Sequence, residues 1–244
     1  MRKTMTKVTV VLLLLILSVS TALLAYLHFF ASGDENLSGE WTTDLDMTRQ
    51  AAVKALSWLQ DIEGVSVSLE DVEAYMQNLQ IRVDMTLEQT ARAQGTFRCS
   101  VRPESYDACK QAAYEAFAMA FRGLLAERLR MAGYTGSTDT DAIEALVAET
   151  FGMPTVDYLM SYAPELLPSL EELQAQYGGS GAYETAEGIL TRRFDTGGSA
   201  YARVERYIRQ ESSLVLSEES DSGVPGSAPA DYPVIYTLQQ TADQ

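Results

Sequence analysis

The chain has 244 residues, 46% of them apolar, with 34 Asp and Glu against 18 Lys and Arg, a formal charge of −16. All 34 acids but only 15 of the bases lie beyond residue 30, so that part carries a formal −19, which repels nucleic acid and anionic lipid headgroups. The single histidine is His28, so no Ser-His-Asp triad, Cys-His pair or histidine metal site can be built further along.

The N-terminus divides into a basic stretch and an apolar one. Residues 1–7 hold Arg2, Lys3 and Lys7, and Val8 to Phe30 runs without a charge. As a helix that run is about 34 Å long, enough to cross the hydrocarbon core. Residues 31–48 then contain Asp34, Glu35, Glu40, Asp44 and Asp46 with no Lys or Arg. The positive-inside rule therefore predicts a cytoplasmic segment 1–7, a single transmembrane anchor at 8–30, a spacer at 31–38 and an extracytoplasmic domain over 39–240. Tyr26, His28, Phe29 and Phe30 suit an aromatic belt at the outer interface. The competing reading is a cleaved signal peptide, with small residues at Ser18-Val-Ser20 and Ser20-Thr-Ala22. It would leave the greasy start Leu23 to Phe30 exposed, so length favours the anchor. Both readings place the domain outside the cytoplasm.

Gly39-Glu-Trp41-Thr-Thr-Asp44 predicts a first strand. Asp46 reads as an N-cap for a helix with its stripe at Met47, Ala51, Ala55, Leu59 and Ile62, ended by Gly64. Ser68 with Asp71 resembles a capping box for a second helix through Val72, Tyr75, Met76 and Leu79. The period then changes to two. Ile81, Val83, Met85 and Leu87 alternate with Arg82, Asp84, Thr86 and Glu88, and Phe97, Cys99 and Val101 alternate with Thr96, Arg98, Ser100 and Arg102. Residues 81–102 thus predict an antiparallel hairpin, its turn at Gln94-Gly95 and Cys99 facing inward.

After Pro103, helical spacing returns through Tyr106, Ala113, Phe117, Phe121, Leu124, Leu125 and Leu129 to about Met131. Further helices are predicted after a cap at Asp139 or Thr140, from Val156 to Tyr162 after Pro154, and from Leu170 to Tyr177 before Gly178-Gly179. Strands resume with Ala182 to Phe194 in two halves around Glu187-Gly188, then Val204 to Arg209, Ser213 to Ser217 and Tyr232 to Leu238. Residues 217–231, rich in Ser, Gly, Pro and acid, read as a flexible acidic loop. The whole predicts an α+β fold, an antiparallel sheet or partial β-barrel with a helical insertion at about 104–178.

The strand segments resemble small bacterial lipocalin-like domains. Gly39-x-Trp41 is similar to the Gly-x-Trp opening of lipocalin-like barrels, and Met85-Thr-Leu-Glu-Gln with Gly95-Thr-Phe97 to their recurring hairpin. Tyr207 to Leu216 and Tyr232 to Leu238 are similar to the closing strands. The resemblance comes in pieces, and about 75 helical residues at 104–178 depart from the family pattern. It implies a barrel that binds rather than catalyses, often with a small apolar molecule in its mouth.

Few residues invite chemistry. Cys99 and Cys109 allow a disulfide tying the hairpin to the following helix; two buried free thiols fit equally well. Lys54 and Lys110 read as solvated charges. Asp139, Asp141 and Glu144 lack the glycine and spacing of a calcium loop. Gly178-Gly-Ser-Gly181 precedes a strand and so is not a phosphate loop. Tyr106, Tyr114, Phe117 and Phe121 read as core rather than pocket. No catalytic, cofactor-binding or metal residue is identified and no cofactor is expected. The sequence points to a membrane-anchored extracytoplasmic binding module, not an enzyme, holding a small apolar ligand or an envelope protein; the alternative is an envelope component without a pocket.

Overall fold

The computed structural model describes residues 35–60, 67–195, 201–219 and 232–239. The expected anchor at 8–30 and most of the acidic loop 217–231 lie outside the described residues. Among the described residues no helix is long and apolar enough to cross a membrane.

Eight antiparallel strands close into a barrel in simple sequence order: β1 (Gly39–Asp46), β2 (Gln80–Ala91), β3 (Gln94–Val101), β4 (Gly179–Ala186), β5 (Ile189–Phe194), β6 (Tyr201–Gln210), β7 (Ser213–Glu218) and β8 (Val234–Leu238). The antiparallel sheet expected from the period-two stretches is therefore a closed barrel. Closure by β8 on β1 is brief: Trp41 faces Leu238 and Thr42 faces Thr237, and the Gln239 N–H donates to the Glu40 carbonyl. Above that point the two strands diverge around a cleft of about 340 Å³ lined by Thr43 to Met47 and Pro233 to Ile235.

Two-residue turns join β2 to β3, β4 to β5 and β6 to β7, all at one end of the barrel. Ala93, Glu187 and Glu211 adopt positive φ there, as tight hairpins demand. The turn of the first hairpin is Arg92-Ala93, not the expected Gln94-Gly95. Gly95 lies inside β3, where a Cβ would stand 2.1 Å from the Glu88 carbonyl and 2.5 Å from the Tyr183 ring. The glycine marks a close approach of two strands, not a reversal. The chain enters at this same end, where the Trp41 indole N–H donates to the Leu37 carbonyl at 2.9 Å and seats Leu37 under the barrel core.

The opposite end carries the helices: α1 (Thr48–Gln60), α2 (Leu69–Glu73), α3 (Pro103–Met131), α4 (Thr140–Phe151), α5 (Thr155–Tyr162) and α6 (Leu170–Tyr177). Local signals set their starts. Ser68 and Asp71 form the expected capping box, Asp139 accepts from the Ala142 N–H at 2.8 Å, and Ser169 with Glu172 makes a second box. Helix α2 is shorter than its apolar spacing predicts. It ends at Glu73, and Asn78 at φ +60 turns the chain so that Met76 and Leu79 are buried from non-helical backbone.

Two cores meet inside this body. Helices α1, α3 and α6 pack over the inward ends of β1 to β3, with Ala51, Ala55, Phe117 and Leu173 against Ile81, Val83 and Val101. The Gln174 amide accepts from the Val101 N–H at 3.2 Å and donates to its carbonyl at 2.7 Å, replacing a strand neighbour where β3 outruns β4. The second core is the barrel interior.

Candidate functional site

Inward positions of the eight strands carry Trp41, Met85, Leu87, Phe97, Tyr183, Leu190, Phe194, Tyr207, Leu214, Leu216 and Tyr236, all buried in one cluster. An eight-stranded barrel is just wide enough for side chains to fill it. Among these apolar groups stand three charged ones. Arg192 on β5 and Arg203 on β6 are direct cross-strand neighbours, and Glu205 follows two residues along β6.

Arg192 and Glu205 are 3% and 1% exposed and form a bidentate pair, Nε to Oε2 at 2.8 Å and Nη2 to Oε1 at 2.7 Å. The Tyr232 hydroxyl donates to Oε1 at 2.6 Å. The remaining Arg192 nitrogen points at the Cys99 sulfur, 3.3 Å away, and the guanidinium lies over the rings of Phe97 and Phe194. Burial works against the Arg192 charge, but Glu205 outweighs it and the pKa rises. Burial pushes the Cys99 thiol up, with Arg192 opposing in part, and pushes the phenols of Tyr232 and Tyr236 up as well. Thiol and phenols are thus neutral at ordinary pH, leaving two cations and one anion in the barrel.

The second cation is answered by the helical cap. Arg203 donates from Nη2 to the Gln176 carbonyl at 3.1 Å, at the C-terminal end of α6 where the helix dipole is negative, and lies over the Phe194 ring at 5.3 Å. Its Nε has no hydrogen-bond partner. The repulsion between two arginines side by side on neighbouring strands is offset by one carboxylate and one helix end.

Cys99 and Cys109 are both free and buried. Cys99 belongs to the barrel interior and Cys109, on α3, to the helical core, so the bridge the sequence left open is not formed. Burial pushes the Cys109 thiol to about 11, with Asp46 adding to the rise, so neither sulfur is a poised nucleophile. Among the described residues no three His, Cys, Asp or Glu side chains are placed to hold a metal ion. Asp139 caps α4. Glu144 takes the Thr155 N–H at 2.9 Å and hydroxyl at 2.8 Å and pairs with Arg122. Tyr106, Tyr114 and Phe117 are buried core residues, as their spacing predicts.

The charged interior was missed in the sequence, although a signal was present. With Tyr207 inward, the two-residue period puts Glu205 and Arg203 inward too, and Phe194 does the same for Arg192. Reading apolar residues alone as the inner face passed over them.

Open surface lies outside the barrel. Phe151 and Tyr162 are exposed and flank Tyr158 at 4.2 and 5.1 Å, while Tyr158 and, at 6.3 Å from it, Phe121 are half-buried against the helical core. On the outer barrel wall Ile208, Val215 and Ile235 stand opposite one another across β6, β7 and β8, with Ile208 and Ile235 exposed. Between α2 and the second half of α3 runs a cleft of about 900 Å³. Comparison with protein-family models, with curated proteins and with solved structures returns no match.

Proposed function

We propose that the chain is a membrane-anchored, extracytoplasmic binding module of lipocalin-like design whose partner is an envelope protein, bound on the outer surface. The observation that carries this reading is the packing of the barrel interior. Large side chains and the Arg192–Glu205 pair occupy the inward positions from which a lipocalin-like barrel would contact a small apolar ligand. Eight strands in up-and-down order are an architecture that lipocalin-like barrels use, and in this reading the barrel serves as a rigid scaffold.

The chain enters the barrel at the end with the tight turns, so an anchor at 8–30 leaves that end toward the membrane and presents the helices away from it. The acidic surface keeps the domain off anionic headgroups and nucleic acid. A catalytic role finds no support in a histidine-free domain whose buried thiols are held protonated.

Chemical crosslinking in intact membranes, with an impermeant reagent added from outside, tests the proposal. The expected result is a discrete adduct of the full chain with a second protein. A chain that is shielded from the external reagent, or that is reached and yields only itself, overturns it.

A further inference from the structure

We infer that the cleft between α2 and α3 is the docking groove for a basic amphipathic helix of the partner. This names the partner class for the protein-binding reading above and rests on it.

The floor is made of small or half-buried residues of α3: Ala120, Gly123 and Leu124. Val72 and Tyr75 form the opposite wall. Gly123 is the informative residue. Glycine in the interior of a 29-residue helix weakens it relative to alanine, and packing among the described residues does not demand it. Among the described residues a Cβ there would meet only the Tyr75 hydroxyl, at 3.3 Å, and Tyr75 is itself 45% exposed. The missing side chain instead deepens the floor where another backbone can approach closely.

The groove follows α3 from Ala120 to Arg130, about 15 Å, or three helical turns. That length matches a helix laid alongside, with anchors at i, i+3, i+4 and i+7. Met131, one turn past Glu127 and largely exposed, adds an adaptable apolar contact at the end. The ionisable lining is Glu70, Asp71 and Glu127 against Arg130 alone, and Asp71 is already engaged by Ser68. An acidic rim around an apolar floor selects lysine or arginine flanking an apolar stripe.

The probe is a fluorescein-labelled 18-residue peptide of leucine and lysine with leucines at helical spacing. It is titrated against the full chain in zwitterionic lipid nanodiscs, with empty discs as blank, and read by anisotropy. Saturable binding above the blank is expected. Gly123→Leu, which fills the floor without removing a buried group, should weaken it at least tenfold. Glu70→Lys with Glu127→Lys should do the same and flatten the salt dependence, whereas Glu88→Lys on the outer barrel wall leaves binding unchanged. A scrambled leucine–lysine peptide should not bind, nor one with glutamate in place of lysine. Binding equal to the blank, or equal in the groove variants and wild type, overturns the groove. Photo-crosslinking residues placed at positions 75, 208 and 235 in intact membranes separate the two levels of failure, position 75 being an exposed aromatic of the groove wall that leaves the floor open. Adducts from 208 or 235 with none from 75 overturn the groove alone, and adducts from none of the three overturn the protein-binding reading as well.

Discussion

Replacing Glu205 with glutamine should be among the most destabilising single changes available to the barrel. Glutamine keeps the shape and a carbonyl for the Tyr232 hydroxyl, but removes the one carboxylate buried beside Arg192 and Arg203. Both guanidiniums then face neutral acceptors: the glutamine carbonyl and the Cys99 and Met85 sulfurs beside Arg192, and the Gln176 carbonyl beside Arg203. Breaking one side of a buried pair costs about 3–5 kcal/mol, a large share of the roughly 5–15 kcal/mol that holds a domain folded. With a urea slope of about 2–3 kcal/mol per molar, the midpoint should fall by about 1.5 M. Trp41 lies in the barrel core and Trp58 against the helical core, so fluorescence follows both. The double variant Arg192→Met with Glu205→Gln should recover much of the loss, because an unpaired buried cation is worse than none. Glu205→Gln within about 1 kcal/mol of wild type, or a double variant less stable than the single, would refute the electrostatic argument.

Four further outcomes follow from the geometry. Neither Cys99 nor Cys109 should react with a thiol reagent in the native chain, and two equivalents should appear on unfolding without reductant; none appearing would mean a disulfide. Cys109 has a folded pKa of about 11, above its unfolded value, so its contribution is complete below the unfolded pKa and lost as pH climbs toward 11. The buried phenols of Tyr232 and Tyr236 are shifted the same way, so the urea midpoint should drop between pH 8 and 10.5, and less steeply in Cys109→Ala relative to its own pH 8 value. Gly123→Ala should raise stability by about 0.5–1 kcal/mol, measured by urea unfolding, because the exposed Tyr75 can yield to the new methyl group. Asp139→Ala removes the cap on the Ala142 N–H and should lower the midpoint in the same measurement.

Much of the architecture was legible because local chemistry repeats it. The alternation from Ile81 to Val101, the turn at Glu187-Gly188 and the caps at Ser68 and Asp139 each name their element without help from the rest of the chain. Closure was not legible, because β1 and β8 meet over two residue pairs almost two hundred positions apart, and nothing local encodes that pairing. Gly95 misled because glycine marks both turns and close strand contacts. Only the Glu88 carbonyl and Tyr183 ring on either side distinguish the two. The Arg192, Arg203 and Glu205 cluster stayed hidden because exposed strands carry the same residue types, and burial reverses their meaning. The groove rests on Gly123, whose role depends on where α2 lies and cannot be read from α3 alone.

Native mass spectrometry of residues 33–244 tests the central claim most directly, that the barrel is a packed scaffold and binding lies outside it. The account predicts the mass of the polypeptide alone and no uptake of a hydrophobic probe dye. A small apolar molecule travelling with the domain, displaced by the dye, would contradict it and return the ligand to the barrel.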